Sequence, residues 1–155
     1  MEFDFEAFKQ LVESSSLETR IYFGADSERV QSNGVWYVDY MLVACVHIDG
    51  KHGAKVFGQI TRERDYDKKL SRPKLRLMTE VSKIAELYCK CAELVDFENR
   101  HVSIHLDINP NEMFGSSCAV SEAIGYIKGV CGIDPKVKPN SFAASIAADR
   151  LKTLL

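Results

Sequence analysis

Two segments of the chain alternate apolar and polar residues in a way that predicts β-strands carrying a carboxylate on the polar face. In residues 21–28 the first three odd positions are apolar, and the even positions lead to Asp26. Residues 101–109 repeat this period, with Asp107 on the polar face. Successive side chains of a strand point to opposite faces, and ligands of open α/β sheets bind near the carboxyl ends of strands. We therefore expect Asp26 and Asp107 near the ends of neighbouring strands, although a lone aspartate there is more often a turn or capping residue.

The remaining pattern predicts the element order β-β-β-α-β-α-β-α and a single α/β domain with a mixed sheet. Residues 1–19 form a helical extension in this interpretation, and the domain spans 1–155. An Asn-Gly pair within 31–34 predicts a hairpin turn. The predicted elements are a helix over 4–13, strands from 21 to about 26, over 35–48 and over 54–62, a helix from Pro73 to about 95, a strand over 101–109, a helix over 118–131, a strand over 135–139 and a helix over 142–155.

Two of the predicted helices carry an acid where their apolar stripe would face the sheet. At about 100° per residue, Glu80 lies at the edge of the apolar stripe of the long helix, whereas Glu86 and Glu93 fall on its polar side. Asp149 follows an alanine-rich turn of the last helix, which would allow that helix to approach the sheet closely. The alternatives are an ordinary boundary residue for Glu80 and an exposed one for Asp149.

Four carboxylates converging from two strands and two helices are typical of a divalent-metal site, because close like charges repel unless cations neutralise them. Such sites hold two Mg²⁺ or Mn²⁺ ions about 3.5–4 Å apart in phosphodiester hydrolases. The five cysteines and four histidines form no zinc-ligand spacing. We read the cysteines as reduced, which predicts a cytoplasmic protein. The acidic N-terminal segment does not resemble a targeting peptide, and no apolar run is long enough to predict a membrane span.

The charge of the chain is unevenly distributed. The net charge is −2, yet residues 62–76 contain seven basic and three acidic residues. This segment is either a solvated loop or a rim that contacts phosphates, in which case Arg72, Lys74 and Arg76 would bind substrate. A nucleic acid is therefore the expected partner.

The chain resembles the YkuK family, a group within the ribonuclease H superfamily. The similarity runs from about residue 20 to 152 and is carried by the motifs Gly24–Ser27, Glu80, His105–Ile108, Lys138–Ser145 and Asp149. The resemblance implies a ribonuclease H-like fold, with three antiparallel strands followed by two parallel ones in a five-stranded mixed sheet flanked by helices. It also implies a metal-dependent nuclease whose metal ligands are Asp26, Glu80, Asp107 and Asp149.

Several polar residues beside the four acids are candidates for supporting roles. His105 shares a strand face with Asp107 and would shuttle a proton or contact phosphate; the alternative is a hydrogen-bonded structural histidine. Lys138 would contact a phosphate of the scissile strand. The residues that would orient water or substrate beside the metal are Ser27, Asn109 and Ser145.

Other functions remain open from the sequence. Asp26-Ser27-Glu28 resembles the Asp-x-Glu motif at the start of proofreading-type exonucleases. That class needs a tyrosine or histidine a few residues before its last aspartate, where this chain has Ala144 and Ser145. A non-catalytic module that binds nucleic acid or protein is the main alternative, and ATP hydrolysis is disfavoured because no glycine-rich phosphate loop follows a strand. The substrate and oligomeric state stay undetermined. The sequence likewise does not decide whether the aromatic residues 36, 37 and 40 stack bases or form a dimer contact.

Overall fold

The computed structural model describes residues 1–66, 74–108, 117–138 and 140–142. The elements are α1 (Phe5–Ser14), β1 (Arg20–Ser32), β2 (Val35–His47), β3 (Ala54–Arg64), α2 (Lys74–Leu94), β4 (His101–His105) and α3 (Ser117–Cys131). The described part is an α/β structure in which the four strands form one sheet in the order β3-β2-β1-β4. A short 3₁₀ turn over Ile48–Gly50 joins β2 and β3.

The predicted antiparallel meander is confirmed, and its first hairpin is longer than the sequence suggested. β1 pairs with β2 from Arg20↔His47 to Ser32↔Val35. The turn is the expected Asn33-Gly34 pair, with φ of 52° and 79°. Both angles are positive, as a two-residue type I′ turn requires, and this turn matches the twist of the flanking strands.

The predicted fifth strand over 135–139 is wrong within the part of the chain that the structure describes. Lys136 forms only an isolated parallel bridge to His105. Its amide donates to the Ile104 carbonyl at 2.8 Å, and its own carbonyl accepts from the Leu106 amide at 2.8 Å. The next amide of this stretch to face β4, that of Lys138, donates to the Ile108 carbonyl at 2.9 Å, because the Leu106 carbonyl accepts from the Ile108 amide at 2.9 Å. The ladder therefore stops after one bridge, where the chain turns at the end of β4.

One face of the sheet carries the main core, and α1 belongs to it. Phe8 of α1 is fully buried and meets Phe57 of β3 edge to face at 5.6 Å. Phe23 of β1 meets Tyr88 of α2 in the same way at 5.4 Å. The predicted N-terminal extension, residues 1–19, therefore contributes to the main core through α1. α2 lies on this face and in turn packs against α3.

Candidate metal and nucleic-acid site

The parallel register of β1 and β4 brings two of the predicted acids to equivalent positions. The β1–β4 ladder ends at the pair Gly24↔His105. Asp26 lies two residues beyond that pair within β1, so alternation places it on the sheet face that carries Gly24. Asp107 lies two residues beyond His105, in a tight turn that the Ile108 amide closes by donating to the Leu106 carbonyl at 2.9 Å. We infer that the two carboxylates are neighbours where the four-stranded part of the sheet narrows to three strands.

The expectation that Asp26 would lie near the end of its strand is wrong. Asp26 is in the middle of β1, where it pairs with Met41 of β2. The strand continues because the hairpin with β2 extends six residues further, to Ser32, although β4 has already ended. The strand that ends close to Asp26 is therefore β4.

Each of these aspartates has a polar neighbour that restricts its carboxylate. The amide of Ser27 donates to Asp26 Oδ1 at 2.8 Å. Lys138 Nζ lies 2.9 Å from Asp107 Oδ1, and the lysine side chain is about half exposed. Lys138 was predicted to contact a substrate phosphate. In the structure its ammonium group forms an ion pair with one of the predicted metal ligands, and its contact with a phosphate stays a prediction.

Glu80 is buried on the sheet-facing side of α2, with only 2% of its surface exposed. It lies next to Thr79 and one turn after Arg76, and this part of the helix faces Tyr40 of β2. Burial raises the pKa of the Tyr40 phenol, a Thr79 hydrogen bond and the Arg76 charge lower it, and the negative charges of Glu63 and Glu80 raise it further.

Arg76 connects this helix to the strand that carries Asp26. Its Nε donates to the Ser27 hydroxyl at 3.2 Å, and Ser27 pairs with Tyr40 across the hairpin. Lys74, by contrast, is turned to the surface and binds Glu122 at 2.7 Å. Of the described basic residues that were predicted to bind substrate, Arg76 therefore contacts the strand that carries Asp26, whereas Lys74 forms an ion pair with Glu122 at the surface.

His105 lies in an aromatic enclosure rather than in an open site. It is fully buried, and its Nε2 is 3.0 Å from the Ser103 hydroxyl. The rings of Tyr22 and Phe142 meet it edge to face at 5.4 and 4.8 Å. Burial, followed by the charge of Lys136, lowers the pKa of His105 to about 4. The ring is therefore neutral at physiological pH, which favours the structural alternative, and its catalytic role stays a prediction.

The described residues do not assemble the whole predicted cluster. Within 1–66, 74–108, 117–138 and 140–142, no group of three or more acidic, histidine or cysteine residues is arranged to hold a metal ion. What is present fits a hard cation in part, since Asp26 and Asp107 each follow the last pair of the β1–β4 ladder, Gly24↔His105, by two residues. The predicted site residues that lie outside the described residues are Arg72, Asn109, Ser145 and Asp149.

The comparisons with known proteins place this fold in a family. A family model described as ribonuclease H-like matches residues 5–153. The chain belongs to the ribonuclease H-like family. This membership confirms the resemblance drawn from the sequence and indicates a nucleic-acid-related function. No curated protein and no solved structure matches the chain. Among the described helices, none combines the length and apolar character that crossing a membrane requires.

Tyr40 and Thr79 are the neighbours of the site that the sequence did not assign to it. Tyr40 was considered only as an exposed aromatic residue, yet it is buried opposite Ser27. The sequence did contain a signal for the position of Tyr40. The Asn33-Gly34 turn fixes the register of the hairpin, and this register pairs Ser27 with Tyr40. The Lys138–Asp107 contact had no such signal, since it joins a residue after β4 to a turn 31 positions further along the chain.

Proposed function

We propose that this protein is a divalent-metal-dependent nuclease that hydrolyses phosphodiester bonds of RNA, DNA or a hybrid. The observation that supports it most strongly is the parallel β1–β4 ladder, whose last pair, Gly24↔His105, is followed two residues later in each segment by Asp26 and Asp107. Paired carboxylates at such a point suit Mg²⁺ or Mn²⁺, which prefer oxygen ligands. Membership of the ribonuclease H-like family supports the same class of substrate.

In this proposal Asp26 and Asp107 are the first ligands of the ion, and Glu80 and Asp149 complete a two-ion site. Bound divalent ions would neutralise the carboxylates, lower the pKa of water and stabilise the leaving oxygen. Glu80 is buried on α2 one turn after Arg76, whose Nε donates at 3.2 Å to the hydroxyl of Ser27, the residue that follows Asp26 in β1, and this supports its assignment to the site.

The chain's own cations then bind and orient the substrate. Lys138 lies 2.9 Å from Asp107 and holds that carboxylate in one orientation. Its ammonium group would attract a phosphate to the same point, because its charge also acts on anions beyond Asp107. Arg76, fixed to Ser27 at 3.2 Å, would contact the next phosphate along the strand. In this proposal His105 stays neutral, and its buried ring stabilises the end of β4.

The test is a cleavage assay with purified protein and four labelled substrates: single-stranded RNA, single-stranded DNA, an RNA–DNA hybrid and a branched DNA junction. We expect cleavage of at least one substrate with Mg²⁺ or Mn²⁺ and none with chelator. Asp26→Asn and Asp107→Asn should each lower the rate at least 100-fold, because each removes a ligand charge at the reacting phosphate. The matched control is Asp134→Asn, whose carboxylate is exposed and bound to Lys128 away from the site.

A second candidate is a module that binds nucleic acid without cleaving it. The Lys138–Asp107 contact favours this alternative, since an ammonium group already neutralises one of the presumed metal ligands. Tight binding of a nucleic acid with no metal-dependent turnover, unchanged by Asp26→Asn, would support the module and contradict the nuclease.

A further inference from the structure

Two exposed aromatic rings lie at the far end of the β1–β3 meander, and each has an arginine against it. Trp36 is 38% exposed and Tyr66 is 82% exposed. The guanidinium group of Arg29 lies 4.5 Å from the centre of the Trp36 ring. That of Arg64 lies 5.5 Å from the centre of the Tyr66 ring. Each guanidinium group lies against one face of its ring, and part of each ring surface stays open to solvent.

These rings belong to two adjoining depressions, the larger of which also contacts α2. The larger, of about 470 Å³, is bounded by Tyr40, Thr79 and Arg76 at one end and by Tyr66 at the other. The smaller, of about 250 Å³, contains Trp36. Both share the wall formed by residues 64–66. Together they form one groove, which we call the aromatic groove, running from the helix turn before Glu80 to the first hairpin.

The charges of the aromatic groove favour an anionic occupant. Its two acids are each held by a cation: Glu63 lies 2.9 Å from Lys83, and Asp65 lies 2.6 Å from Arg29. Their negative charges are thereby balanced, and Arg64 and Arg76 give the open groove a net positive charge. Arginine also suits this position chemically, because its planar group binds phosphate and stacks on bases.

We infer that the aromatic groove binds a single strand of nucleic acid, with bases stacked on Trp36 and Tyr66 and the backbone against Arg64 and Arg76. This inference rests on the proposed function, since it names the form of the nucleic acid that the protein binds. A single strand is required because only unpaired bases expose both faces to aromatic side chains. Arg76 lines the groove, and its Nε donates to the Ser27 hydroxyl of β1 at 3.2 Å, which fixes the guanidinium group in place.

The only tryptophan of the chain makes this inference directly measurable. Intrinsic fluorescence is recorded while the protein, with chelator present to prevent cleavage, is titrated with 12-nucleotide single strands of RNA or DNA and with a blunt duplex. We expect saturable quenching by one or both single strands and little by the duplex. A comparison of RNA with DNA tells which sugar the groove accepts.

The variant that tests the groove is Tyr66→Ala, which is chosen because the side chain is too exposed for its loss to unfold the protein. Loss of one stacking partner should weaken single-strand binding roughly 5- to 150-fold. The matched control is Tyr126→Ala, a 37% exposed tyrosine on α3 that is not part of the groove. That control should bind like the wild type.

The outcomes separate this inference from the proposed nuclease function. Quenching that Tyr66→Ala weakens, without metal-dependent cleavage, would support the groove and contradict the nuclease. Cleavage without Trp36 quenching, with Tyr66→Ala as active as wild type, would refute the groove and leave the nuclease intact. Equal quenching by duplex and single strand would overturn the assignment to an unpaired strand. Absence of both binding and cleavage would contradict both.

Discussion

Acid should destabilise the fold through His105, because this ring is buried without charge. Its pKa is lowered from 6.5 to about 4 in the folded protein. Below pH 6.5 the unfolded chain therefore takes up a proton at this position, whereas the folded protein does so only near pH 4. Its contribution to stability is complete above pH 6.5 and is lost as the pH falls towards 4.

The size of this loss follows from the difference between the two pKa values. At 1.36 kcal/mol per pKa unit, the full effect is roughly 3 kcal/mol, of which about 2.5 kcal/mol is lost between pH 7.5 and pH 4.5. The assay is urea unfolding at several pH values for the wild type and for His105→Gln, which cannot take up a proton. His52→Gln, an exposed histidine, is the control.

We expect His105→Gln to be less stable than the wild type at pH 7.5, since it disturbs the contacts with Ser103, Tyr22 and Phe142. The difference in unfolding free energy should then shrink by about 2.5 kcal/mol at pH 4.5. The control variant should not show this change. A difference that stays constant across the pH range would refute the reasoning and would mean that His105 is solvated or charged in the folded protein.

Three further predictions concern the core, an ion pair and a thiol. Phe8→Ala should lower the unfolding free energy by about 3–5 kcal/mol in urea titrations, because it opens a cavity beside Phe57; a loss below about 1 kcal/mol would contradict the packing of α1. Asp65→Asn should cost about 3–5 kcal/mol by leaving the buried Arg29 charge poorly balanced, whereas the double change Arg29→Met with Asp65→Leu should restore most of that stability. Burial raises the pKa of the Cys91 thiol to about 12, so this cysteine should resist a thiol reagent at pH 8 until the protein unfolds, as followed by mass spectrometry.

The local elements were predictable because their signals are local. The Asn33-Gly34 turn fixes the first hairpin and its register through backbone angles that few other residues adopt. The apolar period of α2 predicted a helix to about 95, and the structure has it over Lys74–Leu94. The same period placed Glu80 at the edge of the buried stripe, and the structure buries it.

The features that depend on pairing between distant segments were harder to predict. Asp26 was expected near a strand end, but the hairpin that turns at Asn33-Gly34 continues β1 beside β2 after β4 has stopped. The stretch around Lys136 was read as a strand, but it forms a single bridge to His105 because the chain turns directly after β4. Charge partners of long side chains, such as Lys138 with Asp107, depend on tertiary structure alone.

The central claim is that Asp26 and Asp107 jointly hold a divalent ion, and a Mn²⁺ titration by calorimetry tests it most directly. Wild type, Asp26→Asn, Asp107→Asn and the control Asp134→Asn are compared with and without a bound single strand. The account predicts saturable Mn²⁺ binding in wild type and control that is lost in both site variants. Binding that survives Asp26→Asn and Asp107→Asn, or no binding by wild type in either condition, would contradict it.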